Sequence, residues 1–137
     1  MGRVPDVQLT PVQFEIMQAA WNAEQGATVA EIWGAIADQR EVGRTTILNL
    51  VDRLEKRGWL SRRKVDGVFR YMPTVDRETA AAHVAGEFVD AFFSGSASDL
   101  VMSLLGSQRI SRDEVEQLRS ILEKRQSEKS QNKGTRT

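Results

Sequence analysis

Residues 43–73 read GRTTILNLVDRLEKRGWLSRRKVDGVFRYMP, and the spacing of the apolar residues changes once inside that stretch. Ile47, Leu50, Val51 and Leu54 recur at intervals of three and four, the spacing of one helical face, and Gly58 follows as a stop signal. Beyond it, two β-prone runs, 59–65 and 68–73, flank Asp66-Gly67. Asp-Gly between such runs predicts a two-residue hairpin, because a type I′ turn needs positive φ at both central positions. A helix over Arg44 to Arg57 that runs directly into a hairpin is the second half of a winged helix-turn-helix.

The flanking sequence supplies the rest of that unit. Thr10-Pro11-Val12-Gln13 predicts a helix start, with Thr10 as the cap, Pro11 at the first helical position and Gln13 reaching back. Phe14, Met17, Ala20 and Trp21 follow at helical spacing, and Gly26 is expected to end the element. Thr28-Val29-Ala30-Glu31 repeats the capping pattern and opens a short helix with Val29, Ile32, Trp33 and Ile36 on one side. The short gap between this helix and the next is what a helix-turn-helix requires.

Downstream, Asp76 is expected to cap a helix reaching Phe93, with Val84, Phe88, Val89 and Phe92 apolar. Ser94-Gly95-Ser96-Ala97-Ser98 breaks it. A short helix with Leu100, Val101, Leu104 and Leu105 ends at Gly106. Ser111-Arg112-Asp113-Glu114 is a third capping box, with Val115, Leu118, Ile121 and Leu122 behind it. From Gln126 the chain is polar and lacks aromatics, which predicts disorder. The expected fold is mainly α with a small antiparallel β-wing. A winged helix-turn-helix domain takes residues 1–75, a helical segment 76–125, and a disordered tail 126–137.

The chain has 137 residues, 40% apolar and 28% charged, and a formal net charge of zero. That total hides an asymmetry. Residues 1–39 carry one basic and five acidic side chains, whereas residues 40–70 carry nine basic and four acidic, a surplus of five positive charges. One basic block in a neutral protein suits a face that meets phosphate while the remainder avoids it. There is no cysteine, so disulfides and thiolate metal sites are excluded. His83 is the single histidine, expected on a helix surface or in the core rather than as a ligand, and no metal or cofactor is expected. No apolar run approaches the roughly 20 residues needed to span a bilayer, and the N-terminus lacks a signal-peptide layout. A cytoplasmic protein without membrane insertion is therefore expected. No Gly-rich phosphate cradle or defensible carboxylate pair argues for an enzyme.

With Arg44 at 0° and about 100° per residue, Ile47, Leu50, Val51 and Leu54 fall in an arc centred at about 290°, which must face a core. Thr45, Thr46, Asn49, Asp52, Arg53 and Lys56 gather on the other side. Amide, hydroxyl and cationic groups on one helix are what hydrogen-bond base edges and phosphates in a major groove. Arg44, Thr45 and Asn49, near the helix start, are expected to contact base edges, and Thr46 and Arg53 phosphates. Lys56 extends the basic surface, and Arg62, Arg63, Lys64 and Arg70 alternate around the wing, so only some can face phosphate at once. Thr28, as a cap, is expected near a phosphate, and Gln13 offers a similar contact. Leu48 lies outside the core arc, which leaves two readings: an edge-of-core leucine, the preferred one, or a contact to a thymine methyl. Asp52 opposes DNA unless it pairs with Arg53 or Lys56. The expected function is sequence-specific DNA binding; the rival reading is a winged-helix protein–protein adaptor.

The opening LTPVQFEIMQAAW, the run GRTTILNLVDRLEKRGWLSRRK and the wing end FRYMP together resemble the penicillinase-repressor family of bacterial regulators (BlaI/MecI/CopY), from Leu9 to Lys124. The resemblance implies a homodimeric repressor on a palindromic double-stranded DNA operator, with a winged helix followed by a C-terminal dimerisation segment. Val84, Phe88, Phe92, Leu100, Leu104, Leu105, Leu118, Ile121 and Leu122 would then form the dimer contacts, since three such helices make too small a core to stand alone. It further implies a membrane sensor-protease that cleaves the C-terminal segment at an Asn-Phe pair. The matching position here reads Ser103-Leu104, a departure, and the Cys-x-Cys of copper-responsive members is missing. A ligand pocket lined by Trp21, Trp33 and the phenylalanines is a lesser alternative, because aromatics at helical spacing are usually core.

Overall fold

A computed structural model of the chain describes Pro5 and residues 8–134, the side chains of residues 131–134 excepted. Its contacts divide the chain into two compact units, Met1–Phe88 and Val89–Thr137. In the first, helix α1 (Pro11–Trp21) starts as its capping box dictates. The Gln13 amide N–H donates to the Thr10 hydroxyl at 3.2 Å, and the Thr10 N–H donates to the Gln13 side chain at 2.9 Å. The exchange satisfies two donors that a helix start otherwise leaves open. The helix ends at Trp21, earlier than Gly26. Gly26 instead serves a close approach: at φ +82, a Cβ there would stand 2.9 Å from Met72 Cγ and 3.1 Å from the Tyr71 carbonyl. Ala27 then exchanges backbone hydrogen bonds with Tyr71, at 3.0 and 2.9 Å, which pins the turn to the hairpin.

Helix α2 (Val29–Ala37) opens on the Thr28–Glu31 box. Helix α3 (Arg44–Lys56) has no side-chain cap at Gly43 and closes with a Schellman motif. Gly58, at φ +90, donates to the Glu55 carbonyl at 3.1 Å, and Trp59 donates to the Leu54 carbonyl at 2.9 Å. This closure satisfies two last-turn carbonyls and turns Trp59 back beneath the helix, where it is fully buried. Strands β1 (Leu60–Val65) and β2 (Val68–Pro73) pair antiparallel from Leu60↔Pro73 to Val65↔Val68. Asp66 and Gly67, at φ 51 and 82, make the turn, and positive φ at both positions is the type I′ signature.

One core joins these elements. Ile16, Met17, Ile32, Ile36, Ile47, Val51, Leu54, Trp59, Leu60 and Tyr71 are buried together. Helix α4 (Arg77–Phe92) contributes Ala80 to it, so the division expected after residue 75 falls inside the first unit. Trp21 donates from its indole N–H to the Val75 carbonyl at 2.8 Å, and Trp33 to the Val42 carbonyl at 3.0 Å. Both are partly buried against the core, and their indole N–H groups serve the fold rather than a ligand. His83 is half-buried, its ring 6.0 Å from that of Trp59 and its Nε2 2.7 Å from Glu87 Oε1.

The second unit holds the end of α4, helix α5 (Ala97–Gly106) and helix α6 (Arg112–Gly134). Ser111 and Glu114 close the expected capping box at 3.2 and 3.3 Å. Helix α6 runs on through residues 126–134, where the sequence reading expected disorder. The reason is local: residues 126–134 read QSEKSQNKG, without proline, and their Gln, Glu and Lys extend a helix whose costly first turn has already formed upstream. Residues 1–4, 6–7 and 135–137 of the expected domain and tail lie outside the described residues. Among the described helices, no single one is long and apolar enough to cross a membrane.

Candidate nucleic-acid interface

The arc predicted for α3 faces inward. Ile47, Val51 and Leu54 are buried, and Leu50 packs half-buried against the same core. Arg44, Thr45, Thr46, Asn49, Arg53 and Lys56 all stand exposed on the far side. Leu48 is 48% exposed, so it belongs to the solvent side of α3 and not to the edge of the core. Because Gly43 offers no side-chain acceptor, the first-turn amides of α3 stay open at the positive end of the helix.

The strand register sorts the wing cations into two sets. Alternation places Arg62 and Lys64 on one face with Leu60, Tyr71 and Phe69, while Arg63 and Arg70 stand directly opposite each other on the other face. Arg70 is not a free phosphate ligand. Its Nη1 lies 3.2 Å from the Gly26 carbonyl and 3.2 Å from Glu31 Oε1, which ties β2 to the start of α2. Hydrogen bonds from the Thr28 backbone and side chain, with Arg70 adding its charge, hold the Glu31 carboxyl below the usual carboxylate range. The bridge therefore stays ionised at neutral pH. Glu31 was legible as a cap, but its tie to a residue 39 positions away has no local signal.

Two further expected contacts are partly engaged within the protein. Lys56 Nζ lies 3.0 Å from Asp52, one helical turn back, and Arg62 Nε lies 3.8 Å from Glu55. The first pair neutralises the Asp52 charge on the outward side of α3 itself. Among the described residues, Arg44, Arg53, Arg57, Arg63 and Lys64 have no carboxylate partner. They place unpaired cations on the α3 face and on both faces of the wing. Thr28 is half-buried and accepts from the Glu31 amide, which makes it first a cap. Gln13 is 5% exposed: burial inside its own capping box removes it from solvent and so from the phosphate contact expected of it.

The residues expected to dimerise fall in both units. Val84 is half-buried and Phe88 exposed in the first. In the second, Leu100 and Leu104 are half-buried, and Phe92, Leu105, Leu118, Ile121 and Leu122 are exposed. Helices α5 and α6 flank an open apolar recess of about 510 Å³ lined by Val101, Leu105, Ile110, Val115, Leu118 and Leu122. No described residue of this unit is buried.

Several known proteins resemble the chain over most of its length. It is 28% identical over 118 residues to the methicillin resistance regulatory protein MecI of Mammaliicoccus sciuri, covering 86% of this chain and 95% of that protein. It is 24% identical over 131 residues to the penicillinase repressor of Bacillus licheniformis, covering 96% and 100%. Among solved structures, the monomeric form of Bacillus licheniformis BlaI in complex with the blaP half-operator shares 26% identity, with a TM-score of 0.48, over 57% of this chain and 92% of that one. The sequence model of the family described as penicillinase repressor matches residues 9–124, and on that match the chain belongs to the penicillinase repressor family.

Proposed function

We propose that this protein is a homodimeric, sequence-specific transcriptional repressor that acts in the cytoplasm on an inverted-repeat DNA operator. The observation that carries the reading is the exposed face of α3, polar and cationic along its length and backed by a buried apolar arc. Arg44, Thr45 and Asn49 reach base edges from the first turns, where recognition helices touch bases. Thr46 and Arg53 hold phosphates, joined from the wing by Arg62 and Lys64 on one face or by Arg63 on the other. The homodimer is supported by the α5–α6 unit, which buries no described residue of its own and whose apolar side chains need cover. Two α3 helices then enter major grooves roughly one helical turn apart, which sets the operator's symmetry. A membrane sensor-protease is the partner that the family likeness implies; Ser103-Leu104 lies within α5, so cleavage there requires that helix to unwind locally.

The test is binding to the DNA upstream of its own gene, measured against random DNA as salt rises. Log affinity should fall steeply, because several phosphates exchange counterions for side chains. A flat salt response, or equal affinity for both DNAs, would end the repressor reading. A monomer on sizing that shifts no DNA would favour the adaptor instead.

A further inference from the structure

We propose that Phe69 is a positioning residue of the wing, whose ring holds Arg62 and Lys64 in place for the DNA backbone; the inference rests on the DNA-binding reading above. Phe69 opposes Lys64 directly in the hairpin register and stands diagonal to Arg62 on the same face. The Arg62 guanidinium carbon lies 4.6 Å from the ring centroid and Lys64 Nζ 5.7 Å from it. Both fall within the roughly 6 Å over which a ring face attracts a cation. The ring remains 43% exposed, so it is a platform at the surface and not a plug in the core. Its backbone is steadied from below, since Leu60 and Tyr71, at the base of the same face, are buried.

Among the described residues, the carboxylate paired with Arg62 is Glu55 of α3, 3.8 Å from Arg62 Nε. Arg62 is thus held at the junction of recognition helix and wing, where a backbone phosphate would displace Glu55 while the ring keeps the guanidinium in position. Arg and Lys side chains lose much rotamer freedom when they bind. A ring that restricts two of them beforehand lowers that loss without touching DNA itself. Nothing in this arrangement selects a base, so the effect is on affinity for all sequences.

The experiment uses the full-length protein with Phe69→Leu, Phe69→Tyr and the double variant Arg62→Ala/Lys64→Ala. In NMR spectra of the free protein, ring currents should shift the side-chain methylene signals of Arg62 and Lys64. Phe69→Leu should lose those shifts and Phe69→Tyr retain them. Unshifted signals in the unaltered protein would overturn the proposal whatever its DNA binding. On DNA, Phe69→Leu should weaken operator and random sequences alike by about three- to tenfold, with Phe69→Tyr restoring affinity. In the Arg62→Ala/Lys64→Ala background, Phe69→Leu should have no further effect. A full additive loss there would overturn the proposal, because Phe69 would then be contacting DNA directly. Ring shifts in a protein that binds no DNA would end the repressor reading and, with it, the DNA role given to Phe69, leaving only the ordering of the two side chains.

Discussion

Asn49 stands exposed on α3 between Leu48 and Leu50, near enough to the helix start to reach a base edge. Replacing it with alanine should relax the preference at one base pair of each half-site, by about 1–3 kcal/mol, the worth of a bidentate base contact. Competition binding against single-base operator variants would register this; an unchanged preference profile would remove Asn49 from base readout. Arg63 has no carboxylate partner among the described residues, and its alanine variant should weaken every sequence alike and reduce the salt slope by about one. Leu48 stands beside Asn49, 48% exposed. Its exposed side chain offers apolar contact to a thymine methyl, so Leu48→Ala should lose discrimination at a thymine position and little stability. The outward placement of Asn49 was legible because an amphipathic helix sorts its residues by angle alone. The pairing of Arg70 was not legible for the opposite reason: its partner, Glu31, lies 39 residues away and no local pattern joins them.

The elements owe their ends to a few backbone positions. Gly58 holds φ +90 in the Schellman closure of α3, a conformation that costs an L-residue about 1–2 kcal/mol. Gly58→Ala should lower unfolding stability by about that amount in urea titration; an unchanged midpoint would mean that α3 closes by another route. The Glu31 bridge has a sign in pH. Its carboxyl is held below its ordinary value of 4.5, so its contribution is present above that value and lost as pH falls through the lowered one. Glu31 is largely exposed, so the effect should be small. The stability difference between the unaltered protein and Glu31→Gln should shrink as pH drops below 4.5, and a difference that grew on acidification would contradict the bridge. Capping boxes and the Asp-Gly turn were readable because their bonds span only two or three residues. The end of α1 and the continuation of α6 were not: the first depends on how residues 22–26 meet the hairpin, the second on whether a polar stretch inherits a helix already begun.

At the scale of the whole molecule, the two units differ in what they bury. The first carries a continuous core from Ile16 to Ala80, while the described part of the second has no buried residue. If a second copy covers α5 and α6, Leu122→Glu should turn a dimer into a monomer in sedimentation and leave the first unit folded by circular dichroism. Operator affinity should fall with it, because a monomer engages one half-site and loses the effective concentration of its partner. A dimer that persisted would place the contact elsewhere. The order of helices and hairpin, the inward arc of α3 and the basic block were all readable along the chain, since each follows from periodicity, capping chemistry or charge within a short span. Which cations remain unpaired emerges only on folding. Arg70 is taken by Glu31, Lys56 by Asp52, and Arg62 and Lys64 gather at one exposed ring. Whether a charge faces solvent or a neighbour depends on segments that meet only once the chain has folded.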